Sequence, residues 1–119
     1  GLTKFQFLSR GASGTNYARA LNAIYNAPLS AVLRGIGSID NQNSELYVNG
    51  VFTEKSPTGL TSTGNYSNAP VYIGRRGGTS LPFNGHIYSL IGIGRLTSDS
   101  ETLALEKSIA KNTGVTLNG

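Results

Sequence analysis

The sequence predicts an all-β fold closed by one short C-terminal helix. Three observations carry that expectation. Several stretches alternate apolar and polar residues, sixteen glycines and many Ser, Thr and Asn residues punctuate them, and a single strong helix start stands near the end.

The clearest strand pair is Glu45–Phe52. Leu46 and Val48 alternate with Glu45, Tyr47 and Asn49, the period of a half-buried strand. Asn49-Gly50 then offers the two positive-φ residues of a type I′ hairpin turn, and Val51-Phe52-Thr53 forms the return. Upstream, Lys4–Ser9 reads as a strand with Phe5 and Phe7 on one face, followed by a turn over 10–14. Residues 17–25 fit helix or strand, and the β character of both flanks favours strand. Asn26-Ala27-Pro28 ends that element. Ser30–Ile39 alternates Val32, Arg34, Ile36 and Ser38 against a side that carries Gly35 and Gly37. Two interior glycines there predict a bulge or close packing by another layer.

Asp40–Ser44 is a polar turn into the hairpin. The run from Glu54 to Pro70 is a long loop whose apolar content falls to Leu60 and Tyr66; loops of that length in compact domains are commonly functional or mobile. Val71–Gly74 reads as a short strand ending in a Gly-Arg-Arg-Gly-Gly tip, and Phe83-Asn84-Gly85 as a turn. His86–Arg95 alternates cleanly, predicting a central strand in which Tyr88, like Tyr47 and Tyr72, is a packing group. Ser98 with Glu101 spells a capping box, Asp99 suits the positive helix end, and Gly114 suits the C′ position, so a helix is expected over about 99–112. Leu103, Leu105, Ile109 and Ala110 form its apolar arc, interrupted by Thr102 and Glu106, which predicts a helix lying on a surface.

The 119 residues suit one domain, with 38% hydrophobic and 13% charged residues favouring a folded chain with a mostly neutral polar surface. The absence of cysteine excludes disulfides and thiolate metal sites. The net charge of +4 sets ten scattered basic residues, clustered only at Arg75-Arg76, against six acidic ones, which argues for solubility rather than a nucleic-acid face. No apolar run is long enough to cross a bilayer as a helix and no signal-peptide pattern opens the sequence, so membrane insertion is not expected. The start at Gly1 fits a trimmed or processed piece of a longer chain.

Leu46-Tyr47-Val48-Asn49-Gly50, then Val71-Tyr72-Ile73-Gly74, then Phe83–Leu90, together with Ile93–Thr97 and Glu101 before a terminal helix, resembles the concanavalin A-like lectin/glucanase superfamily, including laminin-G-like and pentraxin-like domains. The closing Leu105–Val115 is similar to the ending of such domains in bacteriophage virion proteins. The resemblance covers residues 45–117. It implies an antiparallel jelly-roll β-sandwich, here minimal or completed by a partner chain or further segment, since residues 1–44 are short for the usual front half. An incomplete sandwich exposes pairing edges, so partners within a larger assembly are expected, on a virion or extracellular surface.

The enzymes of that superfamily use paired carboxylates. The six acids here, Asp40, Glu45, Glu54, Asp99, Glu101 and Glu106, do not spell the Glu-x-Asp-x-x-Glu pattern, and no catalytic residue is assigned. His86 is the sole histidine and no nucleophile elbow accompanies it, which excludes a serine triad. Calcium occurs in parts of the superfamily, and Asp40–Asn43 offers oxygen ligands, although turn chemistry explains those residues as well, so no cofactor is assigned. Glycan binding needs aromatic faces and planar polar groups. Asn65, Tyr66 and Asn68 in the long loop, with Arg75 and Arg76 at the neighbouring tip, supply both. The arginine tip also has the look of an RNA-binding Arg-Gly segment, but a single copy supplies too few phosphate contacts. The expected function is a non-enzymatic structural or adhesion module, with cell-surface glycan as a candidate ligand. The alternatives are capsid or tail decoration without a sugar site, and a fragment of a glycan hydrolase.

Overall fold

A computed structural model describes residues 4–9, 11–13, 18–26, 28–41, 43–55, 63–77 and 80–119, the stretch 18–24 through its backbone. Five strands and one helix follow in order: β1 (Lys4–Ser9), β2 (Ala18–Ile24), β3 (Leu33–Ser38), β4 (Asn43–Val48), β5 (Val51–Lys55) and α1 (Asp99–Thr113). β1 and β2 form an antiparallel pair, and β3-β4-β5 form an antiparallel three-stranded sheet with β4 at its centre.

The ambiguous stretch before Tyr25 is therefore a strand. The Asn-Gly hairpin forms with Asn49 at φ 52° and Gly50 at φ 83°, as a type I′ turn requires. Asn49 does more than turn the chain. Its side-chain oxygen accepts from the Val32 amide at 2.9 Å, and its own N–H donates to the Val32 carbonyl at 2.8 Å. The hairpin tip thus fixes where β3 begins.

Alternation along β4 sorts the sheet into two faces. Leu46 and Val48 are buried and point toward Phe5, Phe7, Tyr25 and Ala31. Gly35 lies opposite Leu46, and a Cβ placed on it would run into the Phe7 ring. A Cβ on Gly37 would stand 2.7 Å from Ser9 Cβ and 2.9 Å from the Tyr66 hydroxyl. Close packing by a second layer, not a bulge, explains both glycines. Ser44, fully buried, shares a 2.7 Å hydrogen bond with Ser9 and ties β1 to β4.

The opposite face carries Arg34, Glu45 and Tyr47, and α1 lies over it. Both caps of α1 form as expected. Ser98 Oγ accepts from the Glu101 amide at 3.3 Å, Glu101 Oε2 accepts from the Ser98 amide at 2.9 Å, and Gly114 closes the helix at φ 70°. Its contact face keeps Leu105, Ile109 and Ala110 of the expected arc but is centred on the polar interruptions. Thr102, Glu106 and Ala110 are the buried residues, whereas Leu103 is 41% exposed. The two polar interruptions are the seam because each meets a polar partner: Thr102 Oγ1 shares a 2.7 Å hydrogen bond with Thr97 Oγ1, and Glu106 pairs with Arg34.

Two expected strands are irregular. Val71–Gly74 and His86–Arg95 alternate in sequence, yet neither joins a sheet among the described residues. Periodicity specifies which residues share a face, but a strand also needs a neighbour for its N–H and C=O groups. Tyr72 and Tyr88 are correspondingly 53% and 67% exposed and are not packing groups, unlike Tyr47. What is described is a compact, β-rich arrangement: a three-stranded antiparallel sheet, a second antiparallel pair over one face, and one helix over the other. Parts of other expected features, namely Arg10, Gly14, Tyr17, Ala27, Gln42, residues 56–62 and Gly78, lie outside the described residues.

Candidate functional site

Two sites deserve comparison, one on each side of β3. The first forms where β3 runs into its turn. Ser38, Ile39 and Asp40 line an open, shallow cleft of about 400 Å³ together with Gly64, Asn65 and Tyr66. Backbone pairing holds the far wall in place. Ser13 and Thr63 exchange two 2.9 Å hydrogen bonds, and the Ala12 amide donates to the Asn65 carbonyl at 2.8 Å. Gly64, at φ 75°, permits the sharp turn between those anchors.

Tyr66 is thereby directed across the sheet edge with its hydroxyl over Gly37 and 56% of the residue exposed. The Asp40 carboxylate is exposed and makes no hydrogen bond or ion pair with another described residue. An exposed ring beside a carboxylate and an amide can stack on the apolar face of a sugar and hydrogen-bond its hydroxyls.

Of the residues expected to bind ligand, Asn65 and Tyr66 line this cleft, and Asp40 joins them. Asn68, Arg75 and Arg76 are exposed but do not line it. The arginine tip is closed by its own backbone: Arg76 and Ser80 exchange hydrogen bonds of 2.9 and 3.1 Å, and the Phe83 amide donates to the Gly74 carbonyl at 2.8 Å. His86 is exposed and stacks on Tyr88 with ring centroids 6.1 Å apart.

The polar turn considered for calcium is held by local bonds. Asn41 donates its backbone amide and its Nδ2 to Ser38 Oγ at 3.3 and 3.0 Å, and Asn43 Nδ2 donates to Glu45 Oε1 at 3.0 Å. Among the described residues, no three His, Cys, Asp or Glu side chains converge as a metal site.

The second site lies under α1. Arg34 spreads its guanidinium over the Tyr47 ring, 3.5 Å from the centroid, and its Nε stands 3.2 Å from Glu106 Oε1. The distance is that of an ion pair, yet neither atom makes a hydrogen bond, so the N–H is not aimed at the oxygen. Charge attraction and the aromatic face hold this cation together. Tyr47 donates to Glu45 Oε2 at 3.1 Å, and Lys55 Nζ stands 3.8 Å from Glu45 Oε1. Burial, reinforced by the Glu45 charge, raises the Tyr47 hydroxyl above its ordinary pKa.

Sequence reasoning missed Arg34 and Glu106 as a pair and Asp40 as a cleft residue. Arg34 between Val32 and Ile36, and Glu106 inside an apolar arc, were the visible signals: a charge at an inward position implies a counter-charge. No family model, curated protein or solved structure matches the chain.

Proposed function

We propose that the chain is a non-enzymatic adhesion module that binds glycan through the Asp40–Asn65–Tyr66 cleft, within a minimal concanavalin A-like jelly roll of a virion or other surface assembly. The observation that carries the reading is that the exposed Tyr66 and Asp40 line one open cleft. Proteins bind sugars with this combination because the ring covers the C–H face while carboxylate and amide groups sort the hydroxyls. The non-enzymatic part rests on the acids. Asp40 is the one carboxylate lining the cleft, whereas glycoside hydrolysis needs two flanking the scissile bond. The jelly roll and the virion setting rest on the resemblance of residues 45–117.

A glycan array probed with the wild-type chain and with Tyr66→Ala tests the reading. Specific binding weakened about tenfold or more by Tyr66→Ala and by Asp40→Asn, with unchanged circular dichroism, supports it. An array on which nothing binds sinks it and favours the second reading, a purely structural decoration protein. That alternative draws on the uncovered apolar stretch between residues 71 and 96.

A further inference from the structure

An asparagine followed by glycine is chemically exposed, because glycine has no Cβ to keep its own nitrogen away from the asparagine side chain. The sequence holds three such steps, Asn49-Gly50, Asn84-Gly85 and Asn118-Gly119, and every other asparagine precedes a residue with a side chain. The structure treats the three differently.

Asn49 is locked. Its side-chain oxygen accepts from the Val32 amide, its N–H donates to the Val32 carbonyl, and its carbonyl accepts from the Asn118 amide at 2.8 Å. The hairpin turn holds its backbone at φ 52°, and the residue is only partly exposed. Asn118 is exposed, but the same 2.8 Å bond ties its amide to the hairpin tip, and a Cβ on Gly50 would stand 3.3 Å from the Gly119 nitrogen. Asn84-Gly85 has none of these restraints. Both residues are exposed and lie outside helix and strand, and neither hydrogen-bonds another described residue. The last anchor before them is the Phe83 amide on the Gly74 carbonyl.

We infer that Asn84 is a site of spontaneous deamidation, and that folding spares Asn49 the same reaction. The Gly85 amide gives its proton to water, and the nitrogen lone pair attacks Asn84 Cγ. The new N–Cγ bond closes a succinimide as the Cγ–Nδ2 bond breaks, and the side-chain nitrogen takes up a solvent proton and leaves as ammonia. One water then opens either carbonyl of the ring, leaving aspartate or isoaspartate at position 84. The product places a carboxylate one position beyond the Phe83–Gly74 bond, at the foot of the arginine tip, and the net charge of +4 falls by one. At Asn49 the same attack would first have to break the bonds to Val32 and open the turn. The inference is independent of the glycan reading, whose cleft is lined by residues 38–40 and 64–66.

Prolonged incubation of the intact chain in neutral buffer, followed by ion-exchange chromatography and peptide mass mapping, tests it. An acidic form should accumulate whose altered peptide contains position 84. Conversion at Asn49 should be at least about tenfold slower, since two hydrogen bonds to Val32 must break first. Gly85→Ala should slow conversion at position 84 about tenfold by crowding the attack; Phe83, 57% exposed, has room to move its ring aside for the added methyl. The same incubation in concentrated urea should bring all three steps to comparable rates. Conversion at Asn49 or Asn118 ahead of Asn84 in the folded chain overturns the inference. So does an Asn84 that stays intact over the time in which the urea-unfolded chain converts. An unchanged ranking in urea overturns folding as the cause of the selectivity.

Discussion

On one face of the β3-β4-β5 sheet, Phe7 lies directly on Gly35, and Leu46 and Val48 are sealed beneath β1. On the other face, Arg34 reaches over Tyr47 toward Glu106 of α1 with a partly open cleft beside it. Both faces belong to the same six-residue strands, and successive residues supply them alternately. The first is held by shape, because apolar atoms fit where two side chains have been omitted. The second is held by charge, because a cation and an anion were brought under a helix with little hydrogen bonding to orient them. Shape tolerates no added volume. Charge tolerates exchange of both partners but not the loss of one.

The largest effect should come from adding volume to the shape-held face. Gly35→Val is expected to lower unfolding free energy by about 3 kcal/mol, because the new side chain occupies the position of the Phe7 ring. Urea denaturation measures this, and Phe7→Ala introduced beside it should restore part of the loss. If Gly35→Val alone is neutral, the two layers are not in contact as described.

On the charge-held face, Glu106→Ala should cost about 2 kcal/mol by the same measurement, since it leaves Arg34 largely buried without its counter-charge. The double variant Arg34→Met with Glu106→Leu should recover most of that stability, as buried pairs replaced together often do. A double variant that is worse than Glu106→Ala would mean the pair contributes more than charge balance, and the contrast between the faces would fail.

The smallest effect lies at the exposed end of α1. There the Arg95 guanidinium, followed by the Ser98 amide, holds the Glu101 carboxyl down from an ordinary 4.5 to about 2. Because the folded state titrates lower than the unfolded state, this contribution is complete above pH 4.5 and drains away as the pH falls toward 2. Glu101→Gln should flatten the acid limb of a stability–pH curve within that window, by slightly lowering stability above pH 4.5 and leaving it unchanged near pH 2. A curve that keeps its slope in the variant would assign acid sensitivity elsewhere.

Local rules account for what was legible in the sequence. The Asn49-Gly50 turn and the Ser98–Glu101 box each follow from the conformational needs of a few neighbouring residues. What stayed hidden depends on distance along the chain. Arg34 and Glu106 are separated by more than seventy positions, and Asp40 meets Tyr66 only because Ser13 anchors Thr63. His86–Arg95 failed for another reason: its pattern was read correctly, but a strand is a property of two backbones, and only one was in view.

The paired glycines of β3 also decide which alignments the sheet can adopt. Sliding β3 by one residue against β4 would carry Arg34 or Ile36 beneath Phe7 and turn Gly35 toward the helix, so every side chain would change face. A bulky residue would then enter a space with no room for a single carbon, and Glu106 would lose its cation. Mispairing is thus penalised twice, once on each side of the strand. Glycine, the residue with least to contribute to a strand, is here what keeps that strand in its one register.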